Sequence, residues 1–218
     1  MSGENKAMSM ATMQRMPNYL SYLKSKKKEG IENITTVTIA DEMNLNAMVV
    51  KKDLQAASTV EGKPNVGFNI EQLIIDVGKF LGYDNTKDAI LVGVGQLGKV
   101  LLSYKGFYNY GLNIVAAFDN NKKIVDTEIN GKKIFDTNKL TDLVKRMSVR
   151  LGIITVPKDN AQEVCDLMVS SGIKAIWNFA PSHLIVPKNV VLMNEDLAAS
   201  LAILSNKLKE LLKSEEIL

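Results

Sequence analysis

The sequence predicts an α/β protein in two parts, a short helical unit followed by a parallel β-sheet with helices on both faces. Two observations carry this. Up to about residue 85 the apolar residues fall at helical spacing in short stretches. Beyond residue 86, fully apolar β-branched runs alternate with helical segments, the βαβ pattern of a doubly wound sheet. The stretch Leu81-Gly82-Tyr83-Asp84-Asn85-Thr86 separates the two textures and reads as a linker.

In the first part a helix is expected over 14–29, with Met16, Tyr19, Leu20 and Leu23 on one face. Lys24, Lys26, Lys27 and Lys28 suit its C-terminal dipole, and Gly30 stops it. Thr36 is the expected cap of a second helix carrying Val37, Ile39, Ala40 and Met43. Asn44-Leu45-Asn46 makes a turn before a third helix from Ala47 to about Ala57. Helix, short turn, helix is the helix-turn-helix arrangement. Ser58 to Phe68, with Gly62, Pro64, Asn65 and Gly67, reads as a hairpin and hence as the wing of a winged helix. A fourth helix over about Ile70 to Leu81 closes the unit.

The second part opens with Ala89-Ile90-Leu91-Val92, an apolar run short enough for a buried parallel strand. A glycine-rich turn follows, then a helix from Lys99 to Tyr104 and a second strand from Leu112 to Phe118 that ends in Asp119. Leu151 to Val156 and Lys174 to Phe179 read as further strands, with a helix over Asn160 to Ser170 between them.

Composition narrows the class. The chain of 218 residues is 46% hydrophobic and 23% charged, which suits one or two globular domains and argues against disorder. No apolar run approaches a membrane span, and the first residues lack a signal-peptide layout. The expectation is a soluble cytoplasmic protein. With Cys165 and His183 each the sole residue of its type, disulfide frameworks and His- or Cys-rich metal sites are excluded within one chain, and no metal is expected. Residues 1–85 hold ten basic and ten acidic residues, so bulk charge does not announce a nucleic-acid reader.

The strongest chemical signal is Gly93-Val94-Gly95-Gln96-Leu97-Gly98, a GxGxxG loop that follows an apolar strand and opens a helix. Asp119 ends the next strand 21 residues beyond Gly98, the context required of a dinucleotide fingerprint. Gly93 permits the tight turn, Gly95 lets backbone N–H groups approach a pyrophosphate, and Gly98 lets helix and strand pack closely. Asp119 would accept hydrogen bonds from the adenosine ribose and repel a 2′-phosphate, favouring NAD(H) over NADP(H).

With both halves in view, the chain resembles the Rex family of bacterial NADH-sensing transcriptional repressors. The resemblance lies in GVGQLGKVLLSYKGF, IVAAFDNN, IITVP, AIWNFAP and NEDLAASLAILSNKL, and in RMPNYLSYL, VVKKDL and VGFNIEQLI of the first half. It implies a homodimer with winged-helix heads on Rossmann-like bodies, binding operator DNA and NADH/NAD+. Three regions are implied: residues 1–85 for DNA, 86–195 for NAD(H), and 196–218 as a dimerisation helix exchanged between subunits. The implied cofactor residues are Gly93, Val94, Gly95, Gln96, Leu97, Gly98 and Asp119. Tyr104 and Phe107, Thr155 and Pro157, and Asn178, Phe179, Ala180 and Pro181 complete the implied set. Lys51, Lys52 and Lys63 are the implied DNA contacts. With Asp53 and Glu61 opposing them, that surface carries a net charge of +1. The recognition helix departs from the family pattern: Val49 stands where glutamine is usual and Lys51 where arginine is, and lysine lacks the bidentate fork that reads guanine.

Leu197, Leu201, Leu204, Leu208 and Leu211 step by four and three along the closing helix, a seam suited to a partner chain. The expected function is a redox-sensing repressor, not an enzyme, released from DNA by NADH. The alternatives are an NAD(H)-binding relative that has lost specific DNA binding and acts through a protein partner, and a small NAD-dependent oxidoreductase. The last lacks a catalytic motif around His183, Tyr104 or any lysine. His183 reads as a bystander and Cys165 as a buried thiol.

Overall fold

The computed structural model describes residues 9–60, 62–63, 66–83 and 87–215. The chain divides between residues 85 and 86 into two compact units. Glu61, Pro64 and Asn65 of the expected wing, and Asp84, Asn85 and Thr86 of the expected linker, lie outside the described residues.

In the first unit, helix α1 (Met10–Lys28) begins four residues earlier than expected, because Ser9 caps it by accepting the Thr12 N–H at 3.1 Å. A two-residue strand β1 (Asn33–Ile34) follows, which helical periodicity could not disclose. Helix α2 (Thr36–Glu42) is capped by Thr35 and not by Thr36, since the Thr35 hydroxyl accepts the Thr38 N–H. Helix α3 (Ala47–Ala57) has the expected bounds and is capped by Asn46. The turn between them passes through Asn44 at φ 53°. Strand β2 (Phe68–Asn69) pairs antiparallel with β1, and helix α4 (Ile70–Phe80) closes the unit. Lys63 bridges to Gly67 across the wing. Gly67 has φ +83°, and a Cβ there would lie 2.1 Å from the Ile34 carbonyl oxygen, so only glycine lets the wing lie against β1. Met16, Tyr19, Leu23, Ile39, Leu54 and Leu73 are fully enclosed at the centre of the unit.

The second unit is built on a seven-stranded sheet. Strands β3 (Lys87–Val92) and β4 (Leu112–Asp119) flank helix α5 (Gln96–Ser103), which starts three residues before the expected Lys99 and so takes Gly98 into its first turn. Then come β5 (Glu128–Ile129), β6 (Lys132–Asp136) and helix α6 (Leu140–Met147), none anticipated from the sequence. Strand β7 (Leu151–Ile154), helix α7 (Ala161–Ser171), strand β8 (Ala175–Asn178), strand β9 (Val191–Asn194) and helix α8 (Leu197–Glu215) complete the chain.

The strand order is β5-β6-β4-β3-β7-β8-β9, parallel throughout except for β5. From β3 the chain therefore winds outward first through β4 and β6, then reverses through β7, β8 and β9, the dinucleotide-type order. Alternation along β3 sends Ile90 and Val92 to the core on one face and Ala89 and Leu91 to the core on the other. The carboxyl ends of β3, β4, β7 and β8 meet at the reversal, where a doubly wound sheet opens a crevice. On α8 the leucine seam is bare: Leu197, Leu201, Leu204, Leu208 and Leu211 are 52–79% exposed. Among the described residues no helix is long and apolar enough to cross a membrane, and no group of His, Cys, Asp and Glu could hold a metal ion.

Candidate functional site

A cleft of about 730 Å³ opens where the sheet order reverses. Gly93 and Gly95 line it after β3, Asp119 after β4, Thr155 and Pro157 after β7, and Phe179 and Pro181 after β8. The three glycines carry distinct loads. Gly93 has φ +100°, and a Cβ would meet the backbone of Thr155 and Val156 at 2.8 Å. A Cβ on Gly98 would fall 2.0 Å from the Gly93 carbonyl oxygen. A Cβ on Gly95 would meet nothing within 4 Å. Gly93 and Gly98 are thus required by the protein itself, whereas Gly95 leaves open space. The Thr155 hydroxyl donates to the Gly93 carbonyl at 2.6 Å and fixes the loop.

No side chain caps helix α5, whose N-cap is Gly95. Its first-turn N–H groups are therefore available to an anion, as the glycine spacing requires. Asp119 is held by two backbone donors, Val94 N–H at 2.7 Å to one carboxylate oxygen and Asn121 N–H at 2.8 Å to the other. Each oxygen keeps a further lone pair for a ribose hydroxyl. An uncapped helix start, an open glycine and an oriented carboxylate on one cleft fit an adenine dinucleotide.

The side chains of several expected cofactor residues do not line this cleft, although the backbone amides of Gln96, Leu97 and Gly98 open helix α5. Val94 and Gly98 are buried in the loop, while Gln96 and Leu97 are exposed beyond the cleft lining. Asn178 is fully buried, and its side-chain amide donates to Ala180 O, Ser182 O and Asn194 Oδ1 while its oxygen accepts the Ala180 N–H. It shapes the loop that presents Phe179 and Pro181, and Ala180 is buried beneath that loop. Tyr104 and Phe107 pack edge to face at 4.9 Å around a separate, shallow hollow. Phe107 touches Trp177 at 5.7 Å, and Trp177 touches Phe179 at 4.8 Å, so this aromatic row meets the cleft only at Phe179. His183 is exposed and outside the cleft, and burial pushes the Cys165 thiol up to about 11 with a smaller push from Asp166. Thr137 and Glu163 also line the cleft and were not anticipated. Thr137 follows β6, a strand that Lys132-Lys133-Ile134-Phe135-Asp136 shows only weakly among its lysines.

In the first unit, Lys51 of α3 and Lys63 of the wing line one polar groove with Gln55, Thr35, Thr36 and Thr59. Lys52 is exposed on α3 outside that groove. Asp53 corrects the surface-charge estimate. It is 4% exposed and faces inward, where it accepts a two-pronged bond from Arg15 (Nε 2.6 Å, Nη2 3.0 Å) and one from the Tyr19 hydroxyl at 2.9 Å. Its charge is spent on Arg15, so it does not offset the lysines. Burial opposes its ionisation, but the hydrogen bonds from Arg15, Tyr19 and Thr12 outweigh it and hold the carboxyl below its ordinary range. Burial, with Asp53 second, pushes the Tyr19 hydroxyl up to about 12. The signal was present in the sequence: Asp53 lies at i+3 from Val50 and i−4 from Ala57, on the helix's buried stripe. Asp76 plays a matching part at the wing's root, accepting Thr59 N–H and hydroxyl bonds at 2.7 and 2.8 Å and one from Gln72.

Comparison with known proteins agrees with this geometry. A CoA binding domain family matches residues 84–182, and a family of DNA-binding protein N-termini matches residues 7–55. The redox-sensing transcriptional repressor Rex of Porphyromonas gingivalis is 40% identical over 200 residues, 92% of this chain and 91% of its own length. Its counterpart in Clostridioides difficile is 36% identical over 94% of this chain and 98% of its own length. Among solved structures, RSP in complex with β-NAD+ and operator DNA superposes with a TM-score of 0.89 at 33% identity, covering 98% of both chains. RSP in complex with β-NADH gives 0.86 at 33% identity, over 98% of this chain and all of the other. With a glycine loop and an oriented aspartate at the sheet's reversal, a helix-turn-helix first unit, and this identity over nine-tenths of its length, the chain belongs to the Rex family of redox-sensing transcriptional repressors.

Proposed function

We propose that this protein represses transcription as a homodimer on operator DNA and leaves it when NADH occupies the cleft. The observation that carries the reading is one chain holding both a nucleotide cleft with an uncapped helix start and a winged helix with a lysine-lined groove. Residues 1–85 bind DNA, with Lys51 and Lys63 from the groove and Lys52 beside it meeting phosphates or bases. Residues 86–195 bind NAD(H): Gly95 and the α5 amides take the pyrophosphate and Asp119 the adenosine ribose. Thr155, Pro157, Phe179 and Pro181 wall the cleft, and Asn178 holds the last two in place. Helix α8 packs its leucine seam on a second subunit. The protein is a cytoplasmic regulator and not a catalyst. The relatives named above support this reading over a partner-only or oxidoreductase role.

When bound, the cofactor supplies the redox signal, and the chain's own residues translate it. NADH must bind the DNA-free arrangement more tightly than the DNA-bound one, because a ligand with equal affinity for both shifts nothing. The test is an electrophoretic-mobility titration of pooled genomic fragments with NAD+ or NADH at fixed salt. A retained fragment that NADH releases is expected. No retained fragment at low salt with NAD+ overturns the reading.

A further inference from the structure

We propose that Asp136 is a second discriminator against 2′-phosphorylated cofactors, acting by holding Lys122 away from the ribose edge of the cleft. The inference rests on the reading of Asp119 as the ribose ligand. Strands β4 and β6 pair in parallel with Asp119 opposite Asp136, so the two carboxylates share one face at the same end of the sheet. Thr137, the next residue, lines the cleft beside Asp119 and Asn120. The turn after Asp119 is fixed: Asp119 accepts the Asn121 N–H, and the Asn121 side chain accepts the Lys123 N–H at 3.0 Å. Lys122 lies on this turn three residues beyond Asp119, and its ammonium is bonded to Asp136. Asp136 is anchored for that task, since its other oxygen accepts the Asn138 N–H at 3.1 Å and its side chain is only 12% exposed.

A 2′-phosphate entering the cleft therefore meets the charge of Asp119 and a lysine already neutralised. Removing the Asp136 charge frees Lys122 to pair with that phosphate. The experiment measures NADH and NADPH dissociation constants of the full-length protein by cofactor fluorescence, for the parent, D119A, D136N, K122A and D136N/K122A. The parent prefers NADH, and D119A weakens NADH. D136N raises the affinity for NADPH relative to NADH by about five-fold, the scale of an exposed ion pair. The double variant loses that gain, because the gain is made by the freed lysine. An unchanged ratio in D136N, while D119A still weakens NADH, overturns the role of Asp136 and leaves the ribose reading intact. A parent that binds no NADH, or binds it as well after D119A, overturns the ribose reading and this inference with it. Should D136N fail to fold by circular dichroism, D136S, which keeps an acceptor for the Asn138 N–H, decides: NADPH must gain relative to NADH, and an unchanged ratio refutes the inference.

Discussion

Replacing Asp53 with alanine should unfasten helix α3, the proposed DNA reader, from α1. Asp53 is the shared acceptor for Arg15 and Tyr19, and Tyr19 is fully buried. Orphaning a buried hydroxyl costs about 1–3 kcal/mol. Removing one member of a buried ion pair costs about 3–5 kcal/mol. The Arg15 side chain is 27% exposed and can exchange Asp53 for water, which places the total at the low end, about 3 kcal/mol. Asp53→Asn keeps an acceptor for Tyr19 and should cost about half as much. Trp177, the only tryptophan, lies in the second unit, so its fluorescence follows that unit while far-UV circular dichroism follows the helices of both. The expected result is an early dichroism transition, moved about 1.5–3 M lower in urea, for a slope of about 1–2 kcal/mol per M. The tryptophan transition should stay in place, and NADH should still bind. DNA affinity should fall with the fraction of α3 correctly seated. A shift of the early transition below about 0.5 M would show that the Arg15–Asp53–Tyr19 link does not hold the helix.

The glycines give a paired test: Gly98→Ala must displace the Gly93 carbonyl and lower the melting temperature, whereas Gly95→Ala meets open space, keeps the fold and weakens NADH binding. Equal effects of the two on stability would contradict the division of labour. Acid should strike the first unit through Asp53 and Asp76, whose folded pKa values lie below their unfolded ones. Their contribution is complete above about pH 4 and is lost as pH falls through the depressed folded values. Asp53→Asn should accordingly flatten the acid limb of a stability-against-pH curve. Six phosphate contacts from Lys51, Lys52 and Lys63 of a dimer predict a slope near about −5 for log affinity against log salt, and Lys51→Ala with Lys52→Ala should remove most of it. In analytical ultracentrifugation the intact chain should sediment as a dimer and a chain lacking 196–218 should not, and a truncated chain that still sediments as a dimer would move the interface elsewhere.

The sequence by itself determined the class, the order of the first unit's helices, and the glycine loop with its acid. These are local in origin: helical and strand periods are written in neighbouring residues, and a GxGxxG turn between strand and helix needs no distant partner to be recognised. The tertiary structure decided what depends on residues far apart in the chain. Strands β5, β6 and β9 became visible only through pairing, because Lys132-Lys133 masks the alternation of β6 and exposed Val191 and Met193 leave β9 without a clear buried face. The spacing along α3 marks the buried stripe on which Asp53 lies, but its partner Arg15, 38 residues away, is supplied only by the fold. That Asn178 is buried and shapes its loop, and that the Tyr104–Phe107 pair packs beside a separate hollow, follows from contacts between distant residues. The distinct loads on Gly93, Gly95 and Gly98 likewise follow from what each would touch. A one-dimensional motif fixes residue spacing, and only the close approach of β3, β7 and α5 decides which glycine the fold requires and which one it leaves open.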